Sequence, residues 1–176
     1  VSNALCAAAV ALECGATLEQ VATALASAGP ASANRMQVST RPDGVTIIND
    51  AYNANPLSTK VSVDTLAAVQ NRRRVALLGD MLELGSTEDQ LHEEALAHTL
   101  TQGLDLVGTA GPRYARAREK LLNAGHPGAE SVLSASDAPT LAGLVSPHLA
   151  PDDLVLLKGS RGIAMESVLE HLAVPS

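Results

Sequence analysis

Short apolar runs alternate with longer amphipathic stretches over most of this chain. The runs are "VTIIND", "RRVALLG", "LDLVGTAG", "SVLSA" and "DLVLLKGS", and the stretches between and after them have helical spacing. Strands separated by helices pair in parallel, and the crossover helices cover both faces of the resulting sheet. The alternation therefore predicts an α/β fold with a doubly wound, mostly parallel, Rossmann-like sheet.

A β-hairpin is predicted at the start of this sheet. The runs "RMQVSTR" and "VTIIND" are separated by the turn-forming triplet Pro42-Asp43-Gly44, which is typical of a hairpin connection. One edge strand of the sheet is therefore expected to be antiparallel to its neighbour.

The first part of the chain has a different pattern. Residues 3–27 have the spacing of two helices, and Thr17 with Gln20 three positions later is typical of a capping box. The segment "SAGPASAN" then interrupts the periodicity. The sequence thus predicts a helical segment over residues 1–29 and an α/β domain over residues 30–176.

Composition excludes several classes of partner. The net charge of −7 and the pI of about 5.1 argue against nucleic acid and anionic membranes. The apolar runs are far shorter than the ~20 residues that span a bilayer, so we expect no membrane association and a cytoplasmic location. The one basic triplet, Arg72–Arg74, is interpreted as a solvated corner.

Cysteine and histidine give no metal site. Cys6 and Cys14 lie two helical turns apart, too far for a disulfide, and are expected to act as small buried apolar residues. The five histidines lack metal-ligand spacing and are interpreted as surface or helix-end residues.

Polar residues follow four of the predicted strands. In open α/β sheets, ligands bind where the strands end. The segments at these ends are Asp50–Pro56, Gly79–Gly85, Gly108–Gly111 and Lys158–Gly162. Their shared edge is therefore the predicted binding site.

Each segment also has a purely structural interpretation. Asp50 and Asn53 could form an Asx turn and cap the next helix, although this does not account for Tyr52 and Asn55. In the loop Gly79–Gly85, Asp80 could cap the loop and Glu83 could simply be solvated.

The segment "KGSRG" favours an anion site more strongly. Lys158 and Arg161 are separated by small residues whose backbone N–H groups are accessible before a helix. Gly108–Gly111 matches only half of a dinucleotide-binding fingerprint and is assigned to structure. No phosphate-binding loop of the form G-x-x-x-x-G-K-[ST] occurs, so the chain lacks the main phosphate cradle of an ATPase.

Three motifs together resemble the Mur ligase family. They are "DAYNANP", "LLGDMLELG" and "KGSRGIAMESVL", and the first helix, "VSNALCAAAVAL", resembles the end of that family's central ATPase domain. Within the family, the motifs are similar to those of members that add a dipeptide. The resemblance implies that ATP phosphorylates the carboxylate of UDP-N-acetylmuramoyl-tripeptide and that the amine of D-alanyl-D-alanine attacks the acyl phosphate. It also implies a need for Mg²⁺, bound mainly by the central domain.

The resemblance implies an ATP-facing group of residues. Arg35 would reach the ATP phosphates, and Asp50 would accept hydrogen bonds from the ribose hydroxyls. The wall around the nucleoside would consist of Tyr52, Asn53, Asn55 and Pro56.

It also implies a substrate-facing group. Lys158 and Arg161, as catalytic residues, would bind the carboxylate of the dipeptide or the peptide end of the nucleotide substrate together with Ser160. Asp80 and Glu83 would receive the ammonium group of the dipeptide. The central and amino-terminal domains of the same protein are the implied partners, and the 176 residues alone are expected to be inactive.

Two alternatives remain open at this stage. The chain could be a stand-alone Rossmann-like binding module without ligase activity, or a different Mur-type ligase related to folylpolyglutamate synthase, which "DAYNANP" disfavours. Because the first residue is Val rather than Met, we expect a piece of a longer protein. Reading the coding sequence upstream of Val1 for a phosphate-binding loop separates the ligase from the module.

Overall fold

The computed structural model describes residues 2–28 and 34–172. The chain divides into two compact units, Val1–Ser32 and Ala33–Ser176. The boundary predicted between residues 29 and 30 lies outside the described residues, so that assignment stays a prediction.

The first unit contains two helices, α1 (Ser2–Glu13) and α2 (Leu18–Ser27). The predicted capping box is present, because the Thr17 side chain accepts from the Gln20 N–H and the Gln20 side chain accepts from the Thr17 N–H. Cys6 and Cys14 are free and exposed, so the expectation that they are buried is wrong.

The second unit is built on one six-stranded sheet. Its strands are β1 (Gln37–Thr40), β2 (Thr46–Asp50), β3 (Arg74–Gly79), β4 (Leu106–Ala110), β5 (Leu133–Ala135) and β6 (Leu154–Lys158). Its helices are α3 (Pro56–Ala67), α4 (Glu88–Thr101), α5 (Pro112–Asn123), α6 (Ala138–Val145) and α7 (Val168–His171).

The strand order is β1-β2-β6-β3-β4-β5. Strand β1 is antiparallel to β2, and all other neighbours are parallel. The predicted mostly parallel sheet with a hairpin at its start is therefore confirmed. The last strand in the chain, β6, lies in the middle of the sheet between β2 and β3.

Helices cover both faces of the sheet. In β3, Val75 and Leu77 belong to one buried cluster, whereas Ala76 and Leu78 belong to the other. Side chains alternate between faces along a strand, so the two clusters are the two layers of the core. Helices α6 and α7 contribute to the first cluster, and α3, α4 and α5 contribute to the second.

The interpretation of Arg72–Arg74 as a solvated corner is wrong. The Arg72 guanidinium donates to the carbonyl oxygens of Gly44, Asp152 and Asp153. Arg73 forms a 2.8 Å ion pair with Asp153, whose side chain is fully buried. The triplet thus ties together the loops at the end of the sheet opposite the predicted binding edge.

Candidate functional site

Three loops leave the carboxyl edge of the sheet side by side. Because β6 lies between β2 and β3, the loops that follow Asp50, Gly79 and Lys158 are neighbours. The helices after β2 and β3 pack on one face, and the helix after β6 packs on the other. Neighbouring strands whose chains leave toward opposite faces open a crevice, which is where open α/β sheets bind ligands.

The floor of this crevice requires glycine. A Cβ atom at Gly159 would lie 2.6 Å from Cγ of Met165 and 3.2 Å from Cα of Gly79, and one at Gly79 would also meet Met165 at 2.6 Å. Both distances to Met165 are too short for non-bonded carbon atoms, so a larger residue at either position would displace the buried Met165 side chain, and at position 159 it would also press on the Gly79 backbone. These two glycines allow the loops to meet.

Lys158 lies inside the protein and does not face the crevice. Its ammonium group is 2.9 Å from Oδ2 of Asp50, and it donates to the carbonyl oxygens of Asn53, at 2.6 Å, and Asp50. Only 4% of its side chain is exposed. Because its three donors have protein partners, Lys158 is a positioning residue for the loop after β2. This placement argues against the catalytic role predicted for it.

Asp50 is also engaged by the protein itself. Besides Lys158, its carboxylate accepts from the hydroxyl of Ser62 at 3.0 Å and from the N–H of Met36 at 3.3 Å. The carboxylate is 16% exposed, so it retains a small accessible edge. The ribose-binding role of Asp50 stays a prediction.

Asn55 and Pro56 begin helix α3. The Asn55 side chain accepts from the Ser58 N–H at 2.8 Å, and the Ser58 hydroxyl accepts from the Asn55 N–H at 3.1 Å. Pro56 occupies the first turn of the helix, where its missing N–H has no cost. The structural interpretation therefore does account for Asn55, contrary to the sequence argument. Neither residue lines the crevice.

Ser160 connects all three loops. Its hydroxyl accepts from the Leu82 N–H at 2.9 Å and lies 3.4 Å from the carbonyl oxygen of Ala54, while its own N–H donates to the carbonyl of Asp80. The residue is 3% exposed. Its hydroxyl is therefore already paired, and Ser160 supports the crevice wall.

Asp80 caps a helix inside the core. Its fully buried carboxylate accepts from the N–H groups of Arg113 and Tyr114, at 3.0 Å and 2.9 Å, at the start of α5. A Cβ atom at Gly111 would collide with this carboxylate. The carboxylate thus fills the anion position of the β4–α5 turn, which fits the structural assignment of Gly108–Gly111. This placement argues against the ammonium-binding role predicted for Asp80.

Four of the remaining predicted residues, Tyr52, Asn53, Glu83 and Arg161, line an open cleft of about 240 Å³. Glu83 and Arg161 lie on opposite loops, and both are exposed. Within residues 34–172, neither side chain has a hydrogen bond or an ion pair. Glu83 has a φ of +62°, a left-handed conformation that is strained for a non-glycine residue. The cleft is lined by Tyr52, Asn53, Leu82, Glu83, Ser160, Arg161 and Gly162.

Tyr52 is a common neighbour of two arginines. The guanidinium carbon of Arg35 lies 4.0 Å from the centroid of the Tyr52 ring, and that of Arg161 lies 5.9 Å from it. Cations within about 6 Å of an aromatic ring centroid are attracted to the ring face. The ring therefore connects the residue predicted to face ATP with the residue predicted to face a carboxylate.

Sequence reasoning missed one residue that shapes this site. His92 is fully buried, so its interpretation as a surface or helix-end residue is wrong. A signal was available, because His92 falls at helical spacing with Ala95, Leu96 and Thr99, which form the buried face of α4. This spacing would have placed His92 in the core, although it could not identify its hydrogen-bond partner, the Met81 N–H.

Residues 2–28 and 34–172 contain neither a metal-binding group of side chains nor a membrane-spanning helix. No group of three or more His, Cys, Asp or Glu side chains there is arranged to hold a metal ion. No helix there is long and apolar enough to cross a membrane.

The fold and the cleft define a class of protein: an α/β domain with one exposed carboxylate and one exposed guanidinium beside a cleft at the carboxyl edge of its sheet. Residues 34–161 match the family model described as "Mur ligase, glutamate ligase domain". The chain belongs to the Mur ligase family.

Two solved structures and one curated relative show the extent of the similarity. UDP-N-acetylmuramoyl-tripeptide–D-alanyl-D-alanine ligase of Mycobacterium tuberculosis (strain H37Rv) is 41% identical over 98% of this chain and 37% of its own length. A crystal structure of MurF from Acinetobacter baumannii has a TM-score of 0.82 and 30% identity, over 98% of this chain and 37% of that one. MurF ligase from Thermotoga maritima in complex with ADP has a TM-score of 0.70 and 28% identity, over 93% and 35%. The chain therefore spans little more than a third of the length of each of these three proteins.

Proposed function

We propose that this chain is the carboxy-terminal domain of an ATP-dependent ligase that joins D-alanyl-D-alanine to UDP-N-acetylmuramoyl-tripeptide in peptidoglycan precursor synthesis. The similarity to ligases named for this reaction supports the proposal. The single observation that carries it is the cleft in which Glu83 and Arg161 are both exposed and unpaired among the described residues. A dipeptide is a zwitterion, and it needs one anionic and one cationic partner.

The two charged residues divide the recognition of the dipeptide between them. The Arg161 guanidinium presents a planar pair of donors, which suits a carboxylate better than a point charge does. The Glu83 carboxylate accepts from the dipeptide ammonium. Ser160, Asp80 and Lys158 bind no substrate in this proposal; they hold the loops that carry the two charged residues.

Arg35 and Tyr52 form the part of the site that faces ATP. Arg35 is exposed on the Tyr52 ring, so its charge is accessible to phosphate oxygens. When bound, Mg-ATP supplies the phosphoryl group that activates the tripeptide carboxylate. In this proposal, as the family resemblance implies, the Mg²⁺ ligands belong mainly to the central domain.

Replacing Arg161 by Lys in the full-length enzyme is expected to raise the KM for D-alanyl-D-alanine about tenfold, the effect of losing about 1.4 kcal/mol of bidentate bonding. The KM for ATP should change by less than about twofold, since the charge is retained. Steady-state kinetics with each substrate varied in turn gives both values.

Arg116→Lys is the matched control, because Arg116 pairs with Asp89 and does not line the cleft. It should leave both KM values unchanged. The proposed role of Arg161 fails if Arg161→Lys changes only the KM for ATP, or changes neither.

The isolated 176-residue chain is expected to bind Mg-ATP with a Kd of about 1 mM or weaker, equivalent to about −4 kcal/mol. It offers one phosphate-facing arginine and a ribose-facing edge, whereas the phosphate cradle and metal ligands belong to the central domain. Calorimetric titration measures the affinity, and a phosphate-release assay with both substrates should show no activity above a no-protein control. Micromolar binding would instead favour a stand-alone nucleotide-binding module.

A further inference from the structure

His92 accepts a hydrogen bond from the backbone of the cleft loop. Its Nε2 lies 2.9 Å from the Met81 nitrogen, and its Nδ1 lies 2.6 Å from the carbonyl oxygen of Glu88. Because the Met81 N–H can only donate, Nε2 must be the unprotonated nitrogen. Nδ1 then carries the proton and donates to Glu88. The ring is thus held as one neutral tautomer with both nitrogens paired.

The surroundings of the ring favour this neutral form. Burial lowers the pKa of His92, against smaller opposing effects of the Glu88 carbonyl and the Asp80 carboxylate. Oδ1 of Asp80 lies 3.9 Å from Nε2, but it already accepts from the Tyr114 N–H. The Tyr114 ring packs edge-on against the imidazole, with centroids 4.7 Å apart. Of the remaining charged neighbours, Arg113 lowers the pKa of His92 and the Glu88 carboxylate raises it, and these two pair with each other at 2.6 Å. Arg113 also pairs with Asp80.

Three successive backbone N–H groups hold the loop that leads to Glu83. The Asp80 N–H donates to the carbonyl of Ala110, the Met81 N–H donates to His92, and the Leu82 N–H donates to the Ser160 hydroxyl. The next residue is Glu83, in its left-handed conformation. The middle one of these three hydrogen bonds, that of the Met81 N–H, therefore depends on a single imidazole nitrogen.

We propose that His92 is a positioning residue for the candidate site: its neutral ring fixes the backbone at Met81 and thereby places the Glu83 carboxylate in the cleft. The functional half of this inference rests on the proposed role of Glu83 in holding the substrate ammonium. His92 itself lies beneath the loop and contacts no ligand.

The first test measures the loop directly, without any ligand. In the 176-residue chain, His92→Leu removes the acceptor, and amide hydrogen exchange at Met81 should become about tenfold faster relative to core amides of β3. His92→Gln supplies an amide oxygen near the same position and should restore most of the protection. Leu96→Ala is the matched control, since Leu96 is also fully buried on α4 but does not bond to Met81. It should destabilise the fold without a selective change at Met81.

The second test measures substrate use by the full-length enzyme. His92→Leu should raise the KM for D-alanyl-D-alanine about tenfold with little change in the KM for ATP, and His92→Gln should largely reverse this. Leu96→Ala should not separate the two KM values.

Four outcomes are decisive. Faster exchange at Met81 together with a selective rise in the dipeptide KM supports the inference. Unchanged exchange at Met81 in His92→Leu overturns it, whatever the kinetics. Faster exchange with an unchanged dipeptide KM also overturns it if Glu83→Ala does raise that KM. If Glu83→Ala leaves the KM unchanged as well, the proposed role of Glu83 fails and the inference falls with it.

A pH titration gives an independent readout of the neutral ring. The unfolded chain takes up a proton at His92 near the ordinary pKa of about 6.5, whereas the folded state resists protonation because its pKa is lowered. The unfolded state therefore binds more protons below that pH, and the free energy of unfolding should fall as the pH decreases through about 6.5. In His92→Gln, which has no imidazole to protonate, the fall in the free energy of unfolding should be shallower. An equally steep fall in the variant would overturn the assignment of a neutral, bonded ring.

Discussion

Lys158→Met is expected to lower the free energy of unfolding by about 3–5 kcal/mol, the usual cost of removing one partner from a buried ion pair. The variant leaves the Asp50 carboxylate without its cation and takes the donor from two carbonyl oxygens in the loop after β2. Methionine fills a similar volume, so the loss reflects charge and hydrogen bonding more than packing. Urea denaturation of the 176-residue chain, followed by circular dichroism, measures the change.

Two further variants isolate the physical cause. Adding Asp50→Asn to Lys158→Met removes the uncompensated charge and should recover at least about 1 kcal/mol of the loss. Lys60→Met is the matched control, because Lys60 is 35% exposed and its ammonium group lies as far as 4.0 Å from the carboxylate of its partner Glu94. Its effect should stay within about 0.5 kcal/mol. If Lys158→Met were as mild as Lys60→Met, the structural role of Lys158 would be wrong and its catalytic role would deserve a test.

Asp80→Ala is expected to lower mainly the stability and Glu83→Ala mainly the binding of the dipeptide, although both remove a carboxylate from one short loop. Asp80→Ala leaves two N–H groups at the start of α5 unpaired in the core, at about 1–3 kcal/mol each. We expect a loss of about 3 kcal/mol or more in the free energy of unfolding. Glu83 is exposed and has no bonding partner within residues 34–172, so Glu83→Ala should change stability by less than about 0.5 kcal/mol.

For substrate use, Glu83→Ala should have a larger effect than the Asp80 variants. A charged hydrogen bond to the dipeptide ammonium is worth about 1.5–3 kcal/mol, so Glu83→Ala should raise the dipeptide KM of the full-length enzyme roughly tenfold to a hundredfold. Asp80→Asn keeps an acceptor for only one of the two N–H groups, so it should lose about half as much stability as Asp80→Ala while retaining most of its substrate use. A stable Asp80→Ala enzyme with a selectively raised dipeptide KM would return Asp80 to the binding site and contradict the role drawn from its burial.

Residue type and order were sufficient to predict much of the architecture. Apolar runs alternating with helical stretches predicted the parallel sheet, and the Pro42-Asp43-Gly44 turn predicted the hairpin. Both follow from local chemistry, since strand and helix periodicities and turn residues act over a few positions. The same reasoning placed four polar segments at the carboxyl edge of the sheet, and three of them line the cleft, whereas Gly108–Gly111 does not.

The individual roles within those segments were not readable from the chain alone. Lys158, Ser160 and Asp80 looked like ligand-binding residues, yet each is paired inside the protein, while Glu83 and Arg161 remain open to a ligand. Strand order is the reason: only the insertion of β6 between β2 and β3 brings residues about a hundred positions apart into contact. A polar side chain at a strand end binds a ligand only if no protein group satisfies it first, because leaving it buried and unpaired is costly. The sequence states which side chains need partners, and the tertiary structure decides which of them have already found one.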